Sequence, residues 1–138
     1  MDIIARHLAA IDRLCAEEFP AEPGTSGRRT AGPGYFTVEL ETDQELTADD
    51  VDALRQGIAE RLHDRLGEQL PRGQLTVRVR MERGEGIPEP WATLADRTDA
   101  LDVWRIPDTG RWIALGVADR EDQEQTPLLV TVTETDPP

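Results

Sequence analysis

The chain contains no lysine and no asparagine, and only one serine, one cysteine and two histidines among its 138 residues. Each scarcity removes a chemistry. Without lysine there is neither a phosphate-loop lysine nor a Schiff-base lysine. All 15 basic residues are arginine, which reads as GC-rich coding and not as function. The lone Cys15 forbids an internal disulfide and any zinc site built on two thiolates. Long hydrophobic runs are also missing. The longest, "WIALGVA" at 112–118, is far too short to span a bilayer. The N-terminal "MDIIARHLAAI" carries Asp2, Arg6 and His7 inside its apolar run, so it does not read as a secretory signal. The chain is therefore expected in the cytoplasm.

Positive charge is the scarcer sign. The 28 acids against 15 bases leave a net charge of −13. That excludes a nucleic-acid binder, which needs a basic face for phosphate, and docking on anionic lipid. It permits a basic protein partner, because opposite potentials speed encounter. It also serves plain solubility.

Catalytic signatures are absent too. Ser26 sits in "GTSG", which lacks the G-x-S-x-G spacing and its flanking strand and helix. The "GEG" at 84–86 runs into Pro88 and Pro90 where a phosphate loop would start a helix. His7 and His63 each lie on a helical segment with no metal-ligand spacing and read as surface histidines. No EF-hand run occurs among the acids. The expectation is no catalytic residue, no cofactor and no metal, with Ser26, His7, His63 and Cys15 individually dispensable.

What is present is a set of periodic segments sized for one domain, 1–138. Such a chain buries roughly two-thirds of the surface its unfolded form exposes, enough for one core. Residues 2–19 read as an amphipathic helix, with Ile4, Leu8, Ile11, Cys15 and Phe19 on one face. Residues 20–34, rich in proline and glycine, read as a flexible loop. "YFTVELE" at 35–41 alternates as a strand. Residues 46–67 carry the clearest helix signal, with Thr47 as N-cap, Asp50 in the capping-box place, and Val51, Leu54, Ile58, Leu62 and Leu66 as the buried stripe. Gly57 is expected to permit close packing of this helix on the sheet. "QLTVRVRME" at 74–82 alternates strictly and predicts a strand, which would complete a right-handed crossover. Residues 83–100 form a long connection or lid. "LDVWRIPDTGRWIALGV" at 101–117 predicts a hairpin, and "LLVTVTE" at 128–134 a last strand. Residues 134–138 are expected to fray. The predicted fold is α+β: a two-layer sandwich in the order α-β-α-β-β-β-β, with two helices on one face of a mostly antiparallel five-stranded sheet.

The hairpin has an unusual composition. A four-residue turn would pair Ile106 with Arg111, Trp104 with Ile113 and Arg105 with Trp112, leaving neither face mainly polar. Surplus apolar surface is covered by the 83–100 connection, by a second copy or by another partner. Trp91, Trp104, Arg105 and Trp112 are accordingly the candidate interface residues. A second candidate is an acidic docking patch of Glu39, Glu41, Asp43, Glu45, Asp49, Asp50 and Asp52, a stretch without a single base. The functional expectation is a small acidic protein-binding module without catalysis, of the antitoxin or immunity, adaptor or chaperone class, acting on a protein partner or as a homodimer. Two alternatives stand beside it: a small-molecule or enzymatic domain with a pocket under the 83–100 connection, and a structural subunit of a larger assembly.

Overall fold

A computed structural model describes residues 3–40, 47–120 and 127–138. Among these, helix α1 spans Ile3–Ala16, followed by strands β1 (Gly24–Ser26), β2 (Arg29–Gly32) and β3 (Tyr35–Glu39). Helix α2 (Ala48–Leu66) leads to β4 (Leu70–Gly73) and then to helices α3 (Leu75–Glu82) and α4 (Trp91–Arg97). Strands β5 (Ala100–Ile106), β6 (Arg111–Val117) and β7 (Leu128–Thr133) complete the chain. The strands form one sheet in the order β1-β2-β3-β7-β6-β5-β4. Every neighbouring pair is antiparallel.

The class is α+β, as the sequence implies, but the details differ. The sheet has seven strands, not five, and helices lie on both faces. The first face carries α1 and α2. Leu8, Ile11 and Leu14 of α1, and Val51, Leu54, Ile58 and Leu62 of α2, pack on Phe36, Trp104, Ile113, Leu115, Val130 and Val132. The second face carries α4, with Trp91 and Leu94 packed on Leu101, Val103, Ala114 and Leu129. The predicted 83–100 connection thus becomes part of a third layer.

Local signals placed several elements correctly. Thr47 Oγ1 accepts from the Asp50 N–H and Asp50 Oδ2 accepts from the Thr47 N–H, both at 3.1 Å, closing the expected capping box. Gly67, at φ 94°, ends α2 by donating its N–H to the His63 carbonyl. The hairpin register is the one expected, with Ile106↔Arg111, Arg105↔Trp112 and Trp104↔Ile113. Gly57 serves a neighbour other than the one expected: a Cβ there would come within 2.6 Å of Ile4 Cδ1, so it admits α1 and not the sheet.

The main correction concerns 74–82. The predicted strand is helix α3, and no crossover forms. Strand β4 already pairs Gly73 with Ala100, the first residue of β5. The Gln74 N–H still reaches the Asp99 carbonyl at 3.0 Å, but the chain before Asp99 turns back into α4, so a longer strand would have no partner for its further N–H and C=O groups, whereas a helix satisfies them internally. On a helix, the alternating residues split into two i,i+4 pairs, Leu75/Val79 and Val77/Met81, on different sides. None of these four is fully buried. Arg78 holds the helix in place by donating to the Ala95 carbonyl at 2.9 Å and the Thr98 carbonyl at 3.1 Å, at the C-terminus of α4.

Two expected loops also prove structured. Residues 20–34 carry β1 and β2, and Arg29 lies 4.2 Å over the Phe36 ring. The 134–138 tail, expected to fray, makes hydrogen bonds through Thr135, Asp136 and Pro138.

Candidate functional site

The four hairpin and connection residues singled out from sequence part company. Trp104 enters the first-face core under α1 and α2 and is only 1% exposed. Trp112 is on the opposite face, as its parity requires, and is half-buried against the α4 cluster. Trp91 is buried beside it, whereas Arg105 is exposed. The surplus apolar surface of the hairpin is therefore covered from within the chain. These residues do not form a shared exposed patch.

Of the acidic stretch, Glu39, Asp50 and Asp52 have partners within the chain. Glu39 pairs with Arg97 at 2.8 Å and ties β3 to α4. Asp50 belongs to the capping box. Asp52 pairs with Arg55 at 3.0 Å and accepts from Gln56. The hydrogen bond and charge of Arg55, helped by Gln56, hold its carboxyl below the usual carboxylate range. Asp49 is exposed in the first turn of α2. Glu41, Asp43 and Glu45 lie outside the described residues.

The chemically capable side chains stay apart. Ser26 is exposed on β1. His7 is buried on the core side of α1, not at the surface as its sequence position implied. Burial, followed by the charge of Asp12, pushes the Cys15 thiol up to about 11 against the opposing pull of Arg111, so it is a thiol at neutral pH. His63 lines an open groove of about 600 Å³ with Glu60, Asp64 and Asp102. Asp102 is already held by Arg55 at 2.8 Å. Among the described residues no group of three His, Cys, Asp or Glu side chains is placed to hold a metal ion. No described helix is long and apolar enough to cross a membrane.

The surface feature that sequence reasoning missed is the corner where β4 meets α3. Leu70 and Leu75 are the exposed large hydrophobic residues of the described chain, at 47% and 68%. The predicted strand would have set Leu75 on one face with Val77, Val79 and Met81. At the first turn of α3 it stands in solvent instead. The corner is also basic. Residues 70–83 carry Arg72, Arg78, Arg80 and Arg83 against Glu82, a local excess of positive charge in a chain of net charge −13. That inversion was legible as charge patterning. Beside the corner lies a cavity of about 260 Å³ between β4, α3, α4 and the tail, lined by Arg72, Val77, Arg80, Trp91 and Leu101. The edge itself is blunted. Strand β4 spans four residues and contains Pro71, which has no N–H to offer an added strand. Contact here therefore falls to side chains.

Compared with protein-family models, curated proteins and solved structures, the chain matches none. The structure defines its class as α+β, with an antiparallel sheet between helical layers.

Proposed function

We propose that the chain is a non-catalytic protein-binding module, of the immunity, adaptor or chaperone kind, and that its contact surface is the β4–α3 corner. The observation that carries this reading is the exposure of Leu70 and Leu75 on the one strongly basic stretch of an acidic chain. Two exposed leucines suit a partner presenting apolar side chains, and the net positive charge of the 70–83 stretch, kept with Arg78 and Arg80 paired to Asp99 and Glu85, suits one whose apolar side chains lie among carboxylates. The corner replaces the hairpin and the 39–52 stretch as the favoured surface. The hairpin tryptophans are covered within the chain, and Glu39, Asp50 and Asp52 have intramolecular partners. A small-molecule site at the corner is less favoured, since the 260 Å³ cavity there falls below the roughly 300–1,000 Å³ of ordinary ligand pockets, and the 600 Å³ groove at His63 is open and lined almost wholly by polar and charged side chains.

The test uses the double variant L70E/L75E. Both side chains are exposed, so its unfolding midpoint should match the unaltered chain within about 0.5 kcal/mol. A partner recovered by affinity capture and then purified should bind the unaltered chain at least about 100-fold more tightly than the variant, since two interface anchors and two repulsive charges are at stake. Equal affinity for both forms would place the contact elsewhere and refute the assignment.

A further inference from the structure

The groove between β4, α3 and α4 is already filled along one side by residues 135–138. Trp91 donates its indole N–H to the Thr135 carbonyl at 3.0 Å. Arg72 donates to the Pro138 carbonyl at 3.0 Å. Both bonds read main chain, whatever the side chains are. A third bond, from the Trp112 indole N–H to Asp136 Oδ1 at 3.2 Å, reads a carboxylate. Pro137 and Pro138 then line the remaining cavity together with Trp91 and Val77. Aromatic rings beside prolines, with donors aimed at the carbonyls of an extended segment, are the means by which proline-containing peptides are generally held. Such a segment loses little entropy when bound because it is already extended.

Charge agrees with this chemistry. Residues 134–138 carry Glu134 and Asp136 and no base; Asp136 meets the Trp112 indole N–H, and Pro137 and Pro138 share the cavity with Arg72 and Arg80 of the 70–83 stretch. The segment is also separable from the fold. Ladder pairing of β7 ends at Thr133, the last backbone–backbone bond is the Glu134 N–H on the Gly34 carbonyl, and the Thr135 N–H turns back onto Thr133 Oγ1 at 3.0 Å. Residues 135–138 belong to no strand or helix, so their release breaks no ladder.

From this we infer that the groove is a binding site for extended, acidic, proline-containing peptide segments, and that residues 135–138 occupy it as an intramolecular competitor. The inference rests on the corner as the partner surface and names the kind of segment the partner inserts. A short tether holds its occupant at a local concentration on the order of 1 mM. A peptide with an intrinsic Kd of roughly 100 μM is then weakened about tenfold while the tail is in place.

The probe is the synthetic hexapeptide Thr-Glu-Thr-Asp-Pro-Pro, the sequence of residues 133–138, titrated into the full chain. The readout is the indole N–H resonances of Trp91 and Trp112, with the resonance of the buried Trp104 reporting that the fold is intact. The variant P137G/P138G should shift the Trp91 resonance as the tail leaves. Added peptide should return it toward its original position, with a Kd about tenfold lower than in the unaltered chain. Adding R72A to that variant should weaken the peptide at least fivefold. In the unaltered chain, peptide in the millimolar range should displace the tail and perturb both resonances. An unmoved Trp91 resonance in P137G/P138G would make the tail a fixed strap of the fold and overturn the inference. A vacated groove that ignores the peptide would overturn it too. So would an unaltered chain that fails to respond at millimolar peptide, should the variant not fold. If L70E/L75E still loses its partner in any of these cases, the corner survives as the contact surface and only the peptide assignment falls.

Discussion

Trp104 shows how much a single position decides. Its side chain fills the space under α1 and α2 on the first face of the sheet. Its indole N–H has no hydrogen-bond partner among the described residues. Truncation to alanine should therefore destabilise the chain by about 3–5 kcal/mol at any protein concentration. Replacement by phenylalanine should cost much less, because the lost N–H was unsatisfied and costly to bury. Urea titrations of both variants, beside Trp112→Ala, would check this. The half-buried Trp112 should lose clearly less. Equal losses at 104 and 112 would contradict the assignment of the two faces. Cys15 gives a second expectation at this scale. Its thiol ionises at about 11 in the folded chain, well above an ordinary cysteine. A pKa raised by folding means that the neutral form is favoured in the native state. The corresponding stability is complete below pH ~9 and is lost as the pH rises from ~9 toward ~11. Alkylation of native Cys15 should be slow at pH 8 and accelerate only above pH ~10. A rate at pH 8 equal to that of the unfolded chain would refute it.

Among the elements, α3 most clearly departs from its own sequence preference. Its alternating valines and leucine favour a strand, yet it is a helix without a fully buried residue. Arg78 holds it, with two bonds to the α4 C-terminal carbonyls and an ion pair to Asp99 at 3.4 Å. Substitution by methionine keeps much of the stem's packing and removes the donors. Hydrogen bonds made by a charged group are worth about 1.5–3 kcal/mol, so R78M should lower stability by roughly that amount. The change should also raise amide exchange across 75–82 and 94–99 before the rest of the chain. Uniform protection at both segments would show that the guanidinium does not hold them. On the first face, Arg111 plays the matching part for α1. Its guanidinium meets the Cys15 and Glu17 carbonyls at 3.0 and 2.8 Å and lies 4.2 Å over the Phe19 ring.

For the whole molecule, net charge and surface charge give different answers. A chain of −13 suggests an acidic docking face and a basic partner. Its exposed apolar residues instead sit in the arginine-rich 70–83 stretch. The sequence by itself determined the amphipathic face and capping box of α2, the parity and register of the 101–117 hairpin, the antiparallel α+β class and the lack of a metal or nucleophile motif. Each of these depends on interactions a few residues apart, or on residue types that are simply absent. Only the tertiary structure decided the second helical layer, the two short strands in 20–34, β4, and the helical state of 75–82. A strand needs a neighbour, and β4 runs out of one after Gly73 because β5 begins opposite it at Ala100. No local pattern records where a distant strand begins. For the same reason the candidate site was invisible as a site. Trp91, Arg72 and Pro138 lie far apart in the chain, and only the folded sheet brings an indole, a guanidinium and the tail into one groove, with the Trp112 indole on Asp136 beside it.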